Sequence, residues 1–267
     1  MKPLGFRFGY GLVKQGSKLN PFKITVDTTK AGSASDTFVL PLDGTSTYDF
    51  RIFWGDGTSE TVTTNTNVTH TYASAGTYQI SIEGTFPHIH FNNVGDKLKL
   101  ISIDAWGSIK WQSMDRAFYG CENMDGTYKD SPNFSNVNNM DYMFRGCSSF
   151  NQPVSNFDTS NVENMNSMFL GCSFFKQDIS GFSIESVTDL KNMLNGCNIN
   201  ETGTTDNYDD LLVSFESQAG TYSKTGLDFH GGTSKYSETG EAARDSLTLA
   251  TGSGGYGWTI TDSGLAT

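Results

Sequence analysis

Four histidines, four cysteines and a few close carboxylate pairs are the residues of this 267-residue chain whose types could carry chemistry. A nucleophilic thiol or hydroxyl needs a neighbouring base, and that base needs a third group to orient it. His70, His88, His90 and His230 stand in no motif that supplies a cysteine or serine partner. Asp209 with Asp210, and Asp125 with Asp130, are close enough for acid–base work, but they lie in polar stretches where carboxylates are ordinarily solvated. The glycine-rich run at Gly252 lacks the lysine and flanking strand of a phosphate-cradling loop. These residues point away from an enzyme, and toward a protein with no cofactor.

The cysteines carry a different message. Cys121, Cys147, Cys172 and Cys197 are spaced by 26, 25 and 25 residues, each closing a copy of one phrase: MDRAFYGC, MDYMFRGC, MNSMFLGC and LKNMLNGC. A fixed period of this size signals stacked units that bury their apolar faces against one another. Three residues before each cysteine stand Phe118, Phe144, Phe169 and Leu194; seven before stand Met114, Met140, Met165 and Leu190. With Met143, Met168 and Met193 at offset four, this spacing predicts one short helical turn per repeat. Ile103, Val154 and Ile179, farther upstream, predict one short strand per turn, stacked in parallel. Thiols in one column between turns about 4.8 Å apart have Cβ atoms farther apart than the ~3.8 Å a disulfide prefers. They are expected to be free, buried filler. A metal site is the competing reading, but ligands converge from different elements instead of forming a column.

The string FNQPVSNFDTSNVENMNSMFLGCSFFKQDIS resembles the BspA-like, or DUF285, leucine-rich-like repeats, and the likeness extends from Leu98 to about Asn200. Upstream, FRIFWGDGTSETVTTNTNVTHTYASAGTYQISIEG resembles the PKD family, with its W-G-D-G turn and H-T-Y followed by G-T-Y. That resemblance implies an immunoglobulin-like sandwich serving as spacer or adhesive module. Short alternating runs from Pro21 to Phe86 agree with antiparallel strands. Asp56, between Gly55 and Gly57, is expected to cap the tight turn and not to bind calcium, and His70 to pack or hydrogen-bond at a strand edge. His88 and His90 flank Ile89, so a strand would face both imidazoles one way. The pair resembles the H-x-H motifs of trimeric phage fibres; with no third ligand it reads as surface histidines, and no metal is expected.

The fold expected is therefore mixed and β-rich. An extended arm covers residues 1–20, a PKD-like sandwich 21–88, a leucine-rich-like solenoid 89–200 with one strand and one short helix per ~25-residue turn, and an α/β cap 201–267. Tyr208, Leu211, Leu212 and Phe215 have the spacing of an amphipathic helix, and Ser237 or Thr239 starts a second one. Both would shield the apolar end of the repeats.

A formal charge of −11 repels phosphate backbones, which argues against nucleic-acid binding. No apolar run is long enough to span a bilayer, so no membrane insertion is expected. Lys2, Arg7, Lys14 and Lys18 make the arm basic, suited to docking on another virion or surface protein. The first twenty residues lack the pattern of a secretory signal. Together with the family resemblance, this predicts a phage decoration, fibre or receptor-binding subunit on the virion surface, oligomeric in its assembly. The alternatives are a bacterial cell-surface adhesin and an architectural coat subunit. A host surface protein or glycan is the expected ligand. Tyr119, Tyr142 and Arg145 are the contact candidates, joined by Asp104 and Asp178 beside the strand column.

Overall fold

In the computed structural model, which describes residues 20–200, 203–204 and 206–266, alternation sets the first half of the molecule. In β1 (Phe22–Asp27) Phe22, Ile24 and Val26 face inward and are fully buried. β3 (Asp49–Phe53) and β6 (Thr77–Thr85) follow the same two-residue rhythm, burying Phe50, Ile52, Ile80 and Ile82. With β4 (Ser59–Val62) they build an antiparallel sheet, opposed by the pair β2 (Thr37–Leu40) and β5 (Val68–Thr71).

The W-G-D-G turn is closed as its residues demand. Gly55 and Gly57 both adopt positive φ, and Asp56 accepts from the Thr58 amide at 2.9 Å and hydroxyl at 2.6 Å. His70 stacks on Trp54 with ring centroids 4.7 Å apart and meets Asp56 at 2.8 Å. Asp56 thus caps its turn, as its position between glycines implied.

The first sheet does not stop at the sandwich. β7 (Leu100–Ala105) pairs antiparallel with β1, and β8 (Asp125–Gly126) follows in parallel, giving the order β4-β3-β6-β1-β7-β8. One hydrophobic core therefore runs from Phe22 through Trp106 and Phe144 to Phe215.

In the repeats, the structure corrects the expected helix. Each phrase is instead two consecutive tight turns, for example Ala117 N–H to Met114 O at 3.1 Å and Cys121 N–H to Phe118 O at 3.0 Å. The third residue of each turn is left-handed: Arg116, Tyr142, Ser167 and Asn192 in the first, Gly120, Gly146, Gly171 and Gly196 in the second. Such residues four apart cannot continue a right-handed helix. Alternate amides reach across to the next repeat: Arg116 N–H to Asp141 O at 2.8 Å, Phe118 N–H to Met143 O at 2.9 Å, and Gly120 N–H to Arg145 O at 2.8 Å. The pattern recurs between the later copies, as in Ser167 N–H to Lys191 O at 2.8 Å and Phe169 N–H to Met193 O at 2.9 Å.

The expected strand column is likewise shorter than anticipated. Val154 and Ile179 are fully buried, but beyond β8 their stretches are not strands. Inward, Phe118, Phe144 and Phe169 stack with successive centroids 5.6 Å apart. The thiols are free and buried. Three Sγ atoms donate to the preceding repeat: Cys147 to Phe118 O at 3.0 Å, and Cys172 to Phe144 O and Cys197 to Phe169 O, both at 2.8 Å. Filler is therefore an incomplete account of Cys147, Cys172 and Cys197, since each of these three also satisfies a buried carbonyl.

α1 (Asp206–Tyr222) and β9 (Asp228–His230) come next, then α2 (Glu238–Thr248) and β10 (Thr259–Thr261). β9 carries the repeat ladder onward through Leu194 N–H to His230 O at 3.0 Å, and β10 pairs with it in parallel. α1 turns Tyr208, Leu211, Leu212 and Phe215 inward and ties the last turns through Ser214 to Ser180 O at 2.6 Å and Gln218 to Phe182 O at 2.9 Å. Ser237 caps α2 by accepting from the Thr239 amide at 3.1 Å. The basic arm residues Lys2, Arg7, Lys14 and Lys18 lie outside the described residues.

Candidate binding surface

Because the ladder keeps every column in register, equivalent outward positions in adjacent repeats become neighbours. Two and five residues before the cysteine stand Tyr119 and Arg116 in the first copy, then Arg145 and Tyr142 in the second. The two types are swapped between rungs, so each arginine lies beside a tyrosine. The Arg116 guanidinium lies 5.1 Å from the Tyr142 ring centre, and Arg145 lies 5.1 Å from Tyr119 and 4.7 Å from Tyr142. The two tyrosine rings are 5.7 Å apart. Each such cation–ring contact is worth about 0.5–1 kcal/mol at an exposed site. They hold long side chains in place.

The two arginines differ in what they meet. Arg116 is gripped by both oxygens of Asp115, at 2.9 and 2.8 Å, and lies 3.6 Å from Asp141. The Arg145 guanidinium makes no hydrogen bond or salt bridge with any described residue, and neither do the Tyr119 and Tyr142 hydroxyls. Burial, with the carboxylates of Asp115 and Asp189, raises Asp141 to about 6 against the opposing pull of Arg116 and Arg145, and its Oδ1 has no hydrogen-bond partner.

The other two contact candidates are not in this patch. Asp104 accepts from Thr25 at 2.6 Å, Gln79 at 3.0 Å and Ser102 at 2.6 Å, which makes it a tie between sandwich and repeats. Asp178 is exposed and accepts from the Ser180 amide at 2.8 Å. Arg116, an outward position not counted among the contacts, completes the cluster. Its signal was the arginine–tyrosine exchange between two aligned copies.

His88 is not a surface residue, contrary to expectation. It is 4% exposed, with Nδ1 3.3 Å from Asp43 and Nε2 2.8 Å from Asp115 O. His90 stacks on it at 5.0 Å, and burial together with His88 lowers its pKa. The paired orientation follows from the strand-like spacing; the burial follows from the docking of the repeats on the sandwich. Among the described residues no group of three or more His, Cys, Asp or Glu is placed to hold a metal. Burial pushes the thiols of Cys121, Cys147 and Cys172 well up, which opposes thiolate formation. Asp209 is buried and spends its carboxylate on Ser237, at 2.9 Å to the amide and 2.6 Å to the hydroxyl.

Compared with family models, residues 23–87 match the PKD domain and residues 88–207 match the family described as Mycoplasma protein of unknown function, DUF285. The chain carries a PKD domain followed by a DUF285 domain. No curated protein and no solved structure matches the chain. The patch lies wholly within the DUF285 domain, while the carboxylates of Asp43 and Asp104 connect that domain to the PKD domain.

Three further contacts weld the two domains. Asp96 accepts from Ser33 N at 2.6 Å and Val39 N at 2.7 Å, and Lys99 donates to Thr37 O at 2.7 Å. β1 and β7 contribute a shared sheet. The DUF285 patch is consequently held on a rigid support.

Proposed function

We propose that this chain is a non-enzymatic adhesion module, a PKD spacer carrying a leucine-rich-like solenoid whose Arg/Tyr patch touches a host surface protein or glycan. The observation that carries the reading is the patch itself: two tyrosines and one unpaired arginine at half-exposed positions on two rungs of one ladder. Tyrosine and arginine dominate binding energy at interfaces. PKD and DUF285 domains are compatible with a surface or adhesion-type protein. The finer setting proposed is the surface of a phage particle, as a decoration, fibre or receptor-binding subunit. There the basic arm would dock on a neighbouring virion protein and bring several copies into one assembly. A bacterial cell-surface adhesin would use the same module, and an architectural coat subunit would bury the patch against copies of itself.

Two measurements separate these. Labelled chain should bind host cells saturably, and Tyr142→Ala should weaken that binding at least tenfold without lowering thermal stability by more than a few degrees. Antibodies against the patch should decorate intact particles. Cells that retain no chain, together with particles whose patch antibodies cannot reach, would overturn the adhesion reading and leave the coat subunit.

A further inference from the structure

We infer that Arg145, with Tyr119 and Tyr142, forms a site for the carboxylate of an acidic pyranose at the end of a glycan; this rests on the adhesion reading and names its ligand class. The arrangement of four residues sets the argument. Arg116 and Tyr142 share one column, Tyr119 and Arg145 the other, and the next rungs replace them by Ser167 with Leu170, then Asn192 with Asn195. Cation and ring therefore alternate over one small area only, which describes a single site and not a repeating stripe.

Within it, one guanidinium is neutralised and one is not. Asp115 and Asp141 engage Arg116. Arg145 is laid across two rings and its N–H groups meet no acceptor among the described residues. A guanidinium's planar fork matches a carboxylate in two parallel hydrogen bonds. Stacking has already fixed this fork, so less side-chain entropy is lost when the ligand arrives.

The surroundings choose among carboxylates. The chain bears a net charge of −11, and Asp115 and Asp141 lie beside the patch with side chains 20% and 14% exposed. A polyanion or an acidic peptide would bring further negative charge against these groups. An acidic sugar brings one carboxylate and several hydroxyls. Those hydroxyls can donate to the part-exposed Asp115 carboxylate and exchange hydrogen bonds with the two phenols, while the ring C–H face lies against tyrosine edges.

The test uses the full chain in calorimetric titrations. The probes are oligosaccharides ending in glucuronic or N-acetylneuraminic acid, each beside its carboxyl-reduced counterpart, plus a glutamate-containing tetrapeptide. The expected result is saturable binding of one or both acidic sugars, at least tenfold weaker binding of the reduced forms, and at least tenfold loss in Arg145→Gln with partial rescue by Arg145→Lys. The Arg145 side chain donates no hydrogen bond to the fold, so Arg145→Gln should unfold within a few degrees of the parent; Tyr119→Phe, which removes only a hydroxyl, is the second variant. Equal binding of reduced sugars, preference for the tetrapeptide, an unaffected Arg145→Gln chain, or no saturable sugar binding would each overturn the assignment. Host-cell binding is measured on the same preparations. Cells bound without any response to acidic sugar would end the carboxylate assignment and leave adhesion standing, whereas loss of both would end both.

Discussion

Lys99→Met tests whether the two domains are one body. The Lys99 and Asp96 side chains are 0% and 1% exposed, with Nζ 3.8 Å from Asp96 Oδ1. The ammonium donates to Thr37 O at 2.7 Å, Ala34 O at 2.8 Å, Ser33 Oγ at 2.9 Å and Ser33 O at 3.1 Å, on the first residue of β2 and the loop that enters it. Methionine keeps the stem and loses the charge. Asp96 retains its donors from Ser33 and Val39, but its buried charge loses the only nearby cation among the described residues. Removing one partner of a buried pair costs about 3–5 kcal/mol. Against a total stability of about 5–15 kcal/mol this is a large fraction. With a urea slope near 3 kcal/mol/M, the unfolding midpoint should fall by about 1–1.7 M. Tryptophan fluorescence reads the global transition, and amide exchange at Ser33 and Val39 reads the seam. In Asp96→Asn/Lys99→Met the loss should be smaller than the sum of the singles, because neither charge is then stranded. A Lys99→Met midpoint unchanged within about 0.3 M, equivalent to ~1 kcal/mol, would refute the weld.

Phe144→Ala should cost about 3–5 kcal/mol, because its ring lies 5.6 Å from both Phe118 and Phe169 and 4.3 Å from Phe150; thermal unfolding measures it. The four thiols should resist a disulfide reagent in the native chain and react together on unfolding, since all are buried and burial raises the pKa of Cys121, Cys147 and Cys172. Asp141, raised to about 6 chiefly by burial, binds a proton more tightly folded than unfolded, so its contribution to stability falls as pH rises from about 4 to about 6. Asp141→Asn should flatten that part of the profile and stabilise the chain by about 1–3 kcal/mol above pH 6, read by urea midpoints across pH; Arg116 keeps Asp115 in this variant.

Much of this was legible because the chain repeats itself. Aligning four phrases placed Phe144, Phe169, Met140 and Met165 in columns, and all are fully buried. The same offsets suggested a helix because positions three and four residues apart share a helical face. Two tight turns in sequence also bring those positions together, and the decisive feature, left-handed backbone at Arg116, Tyr142, Ser167 and Asn192, is carried in the first three copies by residues whose types do not announce it. The glycine before each cysteine was the visible half of that signal. The seam was hidden for a different reason. Asp104 looks like any outward carboxylate until Thr25, 79 positions away, is placed against it, and a purely local pattern holds no information about such pairing.

The site shows how register turns an unremarkable substitution pattern into a constellation. In sequence, Arg116 with Tyr119 and Tyr142 with Arg145 are two outward pairs of opposite order, 26 residues apart. Only the amide ladder makes them adjacent, and its rungs, such as Phe118 N–H to Met143 O at 2.9 Å, are backbone bonds that depend little on the outward side chains. The scaffold therefore tolerates change on this face while fixing where each side chain stands. Replacing Arg145 alters what the patch can hold without touching the phenylalanine stack or the thiol bonds beneath it, and that separation is what makes recognition testable apart from folding.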